Sequence, residues 1–148
     1  MKNRVMPTTY FIILLILLIV VHFAFPTTEV IFSPYTYLGA FLIVFGIVMN
    51  IWADNLFKKN KTTVKPHEMP SFLVTSGPFS ISRHPMYCGM AAILFGVAIF
   101  LGSISSFIFP PIFIILMEAI FIPQEEKNVS KKFGSKYLAY KKNVRKWI

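Results

Sequence analysis

Apolar residues are gathered into four long runs along the chain, and charged residues lie almost entirely outside them. A helix that crosses the hydrocarbon core of a bilayer, about 30 Å thick, needs roughly 20 apolar residues. A soluble helix would instead carry a polar face along its whole length. The pattern therefore predicts an all-α membrane protein of one domain with about four transmembrane helices. The predicted spans cover about 7–25, 35–53, 85–102 and 105–122. A loop at 54–84 connects the second and third spans, and a helical tail at 123–148 follows the fourth.

The fourth run is interrupted near its start by Pro110 and Pro111. Proline inside a regular helix removes a hydrogen bond and clashes with the preceding turn. We therefore expect a kink or a late helix start at this point.

The basic residues predict the orientation of the chain. Two of the 15 Lys and Arg residues precede the first run, five lie between the second and third, and the rest follow the fourth. Because Lys and Arg concentrate in cytosolic segments, the N-terminus, the loop at 54–84 and the tail are predicted to be cytosolic. The net charge of +9 then faces anionic lipid head groups. We predict membrane lipids as partners and no nucleic acid, and the sequence predicts no particular oligomeric state.

Cysteine and histidine usage gives no sign of a metal centre. The single cysteine, Cys88, allows neither an internal disulfide nor a multi-thiolate site. The three histidines, His22, His67 and His84, lack the spacing of a zinc site on a helix. We expect no structural metal, and we expect Cys88 to be a small packing residue.

The segment at 71–89, with the sequence SFLVTSGPFSISRHPMYCG, is the first candidate for chemistry. Pro85 is placed to start the third span, because proline is favoured in the first turn of a helix, and His84 then lies at the cap. The free N–H groups of a helix start, together with Arg83 and His84, suit a carboxylate or phosphate at the membrane surface. The alternative is that Arg83 contacts lipid phosphates while His84 only caps the helix.

Acidic residues on the fourth span and just after it form the second candidate. Glu118 lies inside the apolar run, where a carboxylate is costly and usually faces a cavity or a partner. It precedes Glu125 by seven residues, close to two helical turns, so the two are predicted to share a face that lines a pocket. Asn50 and Asp54, near the end of the second span, either line the same pocket or, as we expect, cap that span.

Small residues predict how the spans meet. Gly89, Ala92 and Gly96 form a strip on the third span, and Gly39 and Gly46 form another on the second. Such strips let membrane helices approach closely. We expect the third span to pack against the fourth as a hairpin, which brings Arg83 and His84 near Glu125.

Two motifs resemble the signature of the isoprenylcysteine carboxyl methyltransferase family. The first consists of the residues at 73–78 (LVTSGP), the residues at 83–87 (RHPMY) and Gly89. The second consists of Glu125, Glu126, Phe133, Gly134, Tyr137, Tyr140 and Val144 in the order and spacing of that family's C-terminal motif. The resemblance covers about 71–148, half of the chain, whereas the first two spans show only hydrophobicity.

The resemblance implies an S-adenosylmethionine-dependent methyltransferase of the carboxyl O-methyltransferase type. It implies membrane helices with a cytosol-facing S-adenosylmethionine pocket, closed by the C-terminal tail, and a tunnel from the bilayer for a lipophilic or lipidated substrate. Carried over by position, the cofactor-binding residues are Leu73, Val74, Phe79, His84, Pro85, Met86, Tyr87 and Glu125. Glu125 is expected to meet the cofactor's ammonium and His84 its carboxylate, and Arg83 is the candidate catalytic residue that orients an anionic acceptor. Phe79, Phe121 and Asn143 depart from the family's usual Tyr, substrate-facing Arg and basic residue, so the cofactor half is the better preserved.

Three other functions fit parts of the pattern. A phospholipid N-methyltransferase uses the same cofactor with an amine acceptor. A membrane reductase with a nicotinamide cofactor shares a similar Arg-His-Pro region, although this chain is short for the additional pocket. A four-span drug-efflux protein would use Glu118 as its proton-coupled carboxylate, and it would not need the long C-terminal motif.

Overall fold

The computed structural model describes residues 5–25 and 28–148, and in these ranges the regular structure is helical. Lys2 and Arg4, which support the predicted orientation, lie outside the described residues. The six α-helices are α1 (Pro7–Ala24), α2 (Thr36–Lys59), α3 (Pro85–Leu101), α4 (Phe109–Leu116), α5 (Ile122–Phe133) and α6 (Ser135–Asn143). Two 3₁₀ turns (Gly77–Ser80 and Ile104–Ile108) and a π-helical turn (Met117–Phe121) join them. The all-α membrane fold class is confirmed.

Three helical stretches in the described residues are long and apolar enough to cross a membrane: α1, α2 and the continuous stretch Ile104–Phe133. The remaining predicted span, α3, is an apolar helix of 17 residues. Large apolar side chains such as Ile16 of α1 and Phe41 of α2 are more than half exposed. In water such surfaces would be unfavourable, so these faces suit contact with lipid.

The second helix is longer than its apolar run. It continues past the predicted end at about 53 to Lys59, and Asn60 caps it by donating from Nδ2 to the carbonyl of Leu56 at 2.8 Å. Asp54 therefore pairs with Lys58 at 2.5 Å on the helix surface. Asn50 donates to the carbonyl of Gly46 at 2.9 Å inside the helix. The prediction that Asn50 and Asp54 cap the second span is wrong, because polar residues continue the helix beyond the membrane.

The fourth predicted span begins late, as expected from its prolines. A 3₁₀ turn precedes α4, and Pro110 and Pro111 occupy the first turn of that helix. Proline is tolerated there because the first N–H groups of a helix have no intrahelical acceptor. The helix then runs through the π turn into α5.

The small-residue strips of the second and third spans face each other. A Cβ added to Gly46 would meet the backbone of Gly89, and one added to Gly39 would meet the backbone of Gly96. The two glycines of each helix are seven residues apart, so the strips match along two antiparallel helices. The third span does pack against the fourth as predicted, but not through its small-residue strip, which contacts α2 instead.

The opposite face of α3 forms the main core with α1 and α4. Leu94 and Ala98 of α3 are fully buried with Leu18 of α1 and with Phe113 and Met117. This arrangement places α3 between α2 and the α1–α4 side, so the N-terminal end of α3 is held firmly from two directions. The candidate site lies at this N-terminal end of α3.

Candidate active site

A cavity of about 170 Å³ lies at the N-terminal end of α3, beside the start of α5 and against α6. The predicted cofactor-binding residues and the candidate catalytic residue all line it: Leu73, Val74, Phe79, Arg83, His84, Pro85, Met86, Tyr87 and Glu125. The structure thus brings these residues together, while their individual roles stay predictions.

The start of α3 is built as the sequence predicts. His84 is the N-cap residue and Pro85 opens the helix. The Ser82 hydroxyl accepts from the backbone N–H of His84 at 3.1 Å, which fixes the turn before the helix. The imidazole itself makes no capping hydrogen bond. It is therefore free to turn towards the acidic residues of α5.

His84 and two glutamates of α5 form a compact charged group. His84 Nδ1 lies 3.2 Å from Glu125 Oε2, and Nε2 lies 3.6 Å from Glu126 Oε1. The Tyr87 hydroxyl donates to the other oxygen of Glu125, and its ring stacks on His84 with centroids 5.7 Å apart. The predicted approach of the third helix's head to the glutamates after the fourth is therefore present.

The surroundings of His84 favour its protonated form. Burial alone lowers the pKa of a histidine, but hydrogen bonding and charge from Glu125 and then Glu126 outweigh burial and raise the pKa of His84 above 6.5. Its Nε2 is buried and makes no hydrogen bond among the described residues, with Glu126 Oε1 3.6 Å away.

Arg83 is buried rather than lipid-facing, with 7% of its side chain exposed. Its Nη2 and Nε donate to Glu126 at 2.7 and 3.1 Å, and its Nη1 donates to the carbonyl of Val144 at 2.7 Å. The alternative in which Arg83 contacts lipid phosphates is wrong, because the guanidinium has protein partners on both sides. The same contacts fit a positioning role better than the predicted contact with an anionic acceptor.

Two tyrosines of α6, which the sequence did not assign to the site, form another wall of the cavity. Tyr137 and Tyr140 line it, and the Tyr140 hydroxyl donates to the carbonyl of Phe79 at 2.5 Å. Burial raises the pKa of Tyr140 to about 12, and burial followed by the charge of Glu126 raises the pKa of Tyr137. Both therefore remain neutral hydroxyl groups at physiological pH. Two features of the sequence could have assigned these tyrosines to the site: both belong to the C-terminal motif, and they lie three residues apart, close to one helical turn.

The loop between α2 and α3 closes a further side. Asn128 of α5 donates from Nδ2 to the carbonyl of Pro66 at 3.1 Å. Lys65 pairs with Glu68 at 2.8 Å, and the Thr63 hydroxyl donates to the same carboxylate at 2.8 Å. All five residues line the cavity. A polar loop without periodicity gave no sequence signal for this contact.

Glu118 does not line the cavity, so the prediction that it shares a pocket face with Glu125 is wrong. It lies in the π turn Met117–Phe121. A π turn has i to i+5 hydrogen bonds and shifts the helical register, so a separation of seven residues no longer returns to the same face. Glu118 instead accepts from Lys146 Nζ and from Trp147 Nε1, the latter at 3.0 Å.

Comparisons with known proteins identify the family. The family model described as phospholipid methyltransferase matches residues 34–136. An uncharacterised protein of Haemophilus influenzae is 33% identical over 63 residues, which are 43% of this chain and 100% of that protein.

A solved structure of the eukaryotic intramembrane Ras methyltransferase ICMT (isoprenylcysteine carboxyl methyltransferase) aligns with a TM-score of 0.68 and 22% identity. The alignment covers 95% of this chain and 51% of that one, so this chain spans about half of its length and shares its fold. Since the family model covers well over half of the chain, this membrane protein belongs to the phospholipid methyltransferase family.

Proposed function

We propose that this protein transfers a methyl group from S-adenosylmethionine to a lipid-like acceptor in the cavity at the head of α3. The observation that carries the proposal is the meeting of His84, Tyr87 and Glu125 in a cavity whose other lining residues include many apolar side chains. A zwitterionic nucleoside and an apolar acceptor need polar and apolar surroundings side by side.

The polar lining residues fit the amino acid part of the donor. Glu125 is the carboxylate that would pair with an ammonium group, and the unpartnered Nε2 of His84 is the donor that would meet a carboxylate. The apolar side chains of Leu73, Val74 and Met86 would pack against the nucleoside. Arg83 acts as a positioning residue, because it holds Glu126 beside His84 and ties the tail to the same place.

The donor supplies an electrophilic methyl group on a sulfonium. In the reaction the acceptor heteroatom forms a bond to this carbon while the carbon–sulfur bond breaks, and the sulfur keeps the electron pair as a neutral thioether. The protein forms no covalent bond in this step, so its contribution is to hold the two reacting atoms in line and to exclude water. Buried side chains of the cavity lining, such as Phe79 and Tyr137, serve this purpose.

The apolar part of the lining includes the start of α1. Met6 just before α1, Pro7 at its start, Val64 of the loop and Met90 of α3 are among the lining residues. Because α1 presents its outer face to lipid, a hydrophobic acceptor would enter beside the start of this helix without crossing water. We expect an acceptor with an acyl or prenyl chain.

Charge pairing favours an amine over a carboxylate as the methylated group. Each cationic side chain that lines the cavity in the described part of the chain already has an acidic neighbour, since Lys65 pairs with Glu68, Arg83 with Glu126, and His84 lies against both α5 glutamates. Among these described cations, the one donor atom without a hydrogen bond, His84 Nε2, is assigned to the carboxylate of the methyl donor. An anionic acceptor would enter without a free cation, and an unpaired buried charge is strongly unfavourable. Carboxyl O-methylation, the activity in the ICMT name, is the second candidate and is favoured by the shared fold.

Two measurements test the proposal. Purified protein in lipid nanodiscs should be stabilised against heat by S-adenosylhomocysteine and not by NADPH, and the reverse result would support a reductase. Membranes that contain the protein should then transfer labelled methyl from S-adenosylmethionine into lipid extracts. Label that resists mild base indicates an N-methyl product, and base-labile label indicates a methyl ester. Absence of both ligand stabilisation and transfer would contradict the proposed function.

A further inference from the structure

The last residues of the chain, 144–148, lie across the head of α3 and are called here the C-terminal segment. The backbone N–H of Arg83 donates to the carbonyl of Arg145 at 3.0 Å, and the Ser82 hydroxyl donates to the carbonyl of Lys146 at 3.1 Å. The Cys88 thiol donates to the carbonyl of Trp147 at 3.3 Å. The segment therefore adheres to the same turn that presents His84 to the cavity.

Glu118 anchors the side chains of this segment. One carboxylate oxygen accepts from Lys146 Nζ and the other accepts from Trp147 Nε1 at 3.0 Å. The indole of Trp147 also packs against the main core. Contacts from residues nearly thirty positions away in the chain thus converge on one carboxylate in a π turn. Such turns interrupt the regular hydrogen bonding of a helix and are frequent at functional sites.

The C-terminal segment continues directly from a wall of the cavity. It follows α6, whose Tyr137 and Tyr140 line the cavity. At its other end α6 is joined to α5 through Gly134, which has a φ of +50° and open space around its α-carbon. The wall is therefore held by a glycine junction at one end and by the C-terminal segment at the other. Removing the Glu118 carboxylate would free the side chains of Lys146 and Trp147 and leave the segment held only by hydrogen bonds to its backbone from Arg83, Ser82 and Cys88.

We propose that Glu118 is a positioning residue which, by holding Lys146 and Trp147, keeps α6 closed against the cavity and slows the departure of the bound nucleoside. The inference rests on the proposed function for the identity of the nucleoside, while the attachment itself does not depend on it. Glu118 touches neither donor nor acceptor, because it lies outside the cavity. Its influence is on how long the cavity stays closed.

The first experiment compares Glu118→Ala and Glu118→Gln with Asp54→Asn, which removes a carboxylate from an ion pair on the exposed surface of α2. Dissociation of S-adenosylhomocysteine is measured by chase with excess unlabelled ligand in nanodiscs. We expect Glu118→Ala to raise the dissociation rate and the KM for the donor about tenfold, because two hydrogen bonds to a carboxylate are lost. Glu118→Gln, which keeps an acceptor for Trp147, should raise both about threefold, and Asp54→Asn should change neither.

A purely structural role would give a different pattern. It would lower the melting temperature and kcat together and leave the ratio of dissociation rates unchanged. In our proposal kcat changes less than the donor KM. The double variant Glu118→Ala, Lys146→Met should also dissociate no faster than Glu118→Ala, because both substitutions remove the same ion pair.

The second experiment separates this inference from the proposed function. The chain has two tryptophans, so Trp52→Phe leaves Trp147 as the only tryptophan, whose emission is selected over that of the tyrosines by excitation at the red edge of the absorption band. In that background, Glu118→Gln should increase quenching of Trp147 by acrylamide, with or without nucleoside. If the parent protein binds no S-adenosylhomocysteine, the proposed function fails while this measurement still decides the attachment. Unchanged quenching, or increased quenching with an unchanged dissociation rate, would overturn the inference.

Discussion

At the scale of single residues, the cavity depends on charges that support one another in a small volume. His84 lies between Glu125 and Glu126, and Arg83 neutralises Glu126 from the other side. Two adjacent carboxylates would repel each other without these cations. One oxygen of Glu125 accepts from the Tyr87 hydroxyl, and the other lies 3.2 Å from His84 Nδ1. Binding of a zwitterion is then an exchange of partners within an existing network.

Removing either member of the central pair should weaken binding of the donor. Because each forms a charge-assisted hydrogen bond in the proposed complex, His84→Ala or Glu125→Ala should lower the affinity for S-adenosylhomocysteine about tenfold or more. Calorimetric titration in nanodiscs measures this. Glu29→Gln, at an exposed position at the opposite end of the fold, serves as the control and should bind normally. Unchanged affinity in both site variants would remove these two residues from the donor site.

The same pair should make stability depend on pH. The fold raises the pKa of His84 above 6.5, so its stabilising effect is complete below that value and is lost as the pH rises through the raised pKa. The melting temperature of the parent protein should therefore exceed that of His84→Gln at pH 6, and the difference should shrink towards pH 9. A difference that grows with pH would contradict the protonated state.

At the scale of helices, sequence predicts what periodicity and composition determine. The apolar runs located α1, α2, α3 and the stretch Ile104–Phe133, and the prolines at 110 and 111 marked the late start of α4. The spacing of the glycines also indicates that the two strips pair with each other, since Gly39 and Gly46 have the same spacing as Gly89 and Gly96. The strip on α3 faces α2 rather than α4, because the close approach of two backbones requires small residues on both helices.

Other features of the helices leave no mark in the pattern. The π turn at Met117–Phe121 changes which residues share a face, yet its residues are as apolar as those of a regular span apart from Glu118. Likewise, the extension of α2 to Lys59 uses polar residues that equally suit a loop. The motif residues meet at the cavity because they lie near the ends of helices. The loop contacts α5 through the carbonyl group of Pro66, and since every residue has a carbonyl group, the sequence gives no sign of this contact.

The close approach of α2 and α3 gives a prediction for these helices. A Cβ at Gly89 would lie 2.8 Å from the carbonyl oxygen of Gly46 and 3.0 Å from Asn50 Cγ. Because a backbone carbonyl in a packed helix cannot yield, Gly89→Val should destabilise the protein by about 1–3 kcal/mol. Thermal unfolding in nanodiscs checks this, with Val48→Ala on the lipid-exposed face of α2 as the control. Equal melting temperatures for both variants would contradict the packing described here.

At the scale of the whole molecule, the two ends of the helix bundle differ in chemistry. One end carries the cavity, the loop after α2 and the basic tail. The opposite end is tied together by neutral contacts, with the N–H of Val30 donating to the carbonyl of Gly102 at 2.8 Å and His22 Nδ1 lying 2.8 Å from the Ser103 hydroxyl. Charged residues thus gather where a soluble donor must arrive, and the other end serves to close the bundle.

This asymmetry leads us to propose that the cavity and tail face the cytosol, since basic segments are retained on that side of the membrane. Single cysteines placed in a Cys88→Ala background test the orientation. Lys136 lies exposed on α6, and Glu29 lies exposed at the opposite end, where it bridges to Ser103. A membrane-impermeant maleimide should label Glu29→Cys in intact cells and should label Lys136→Cys only after permeabilisation. The reverse pattern would place the cavity outside the cell, away from the donor's source, and would contradict both the orientation and the proposed route of the donor.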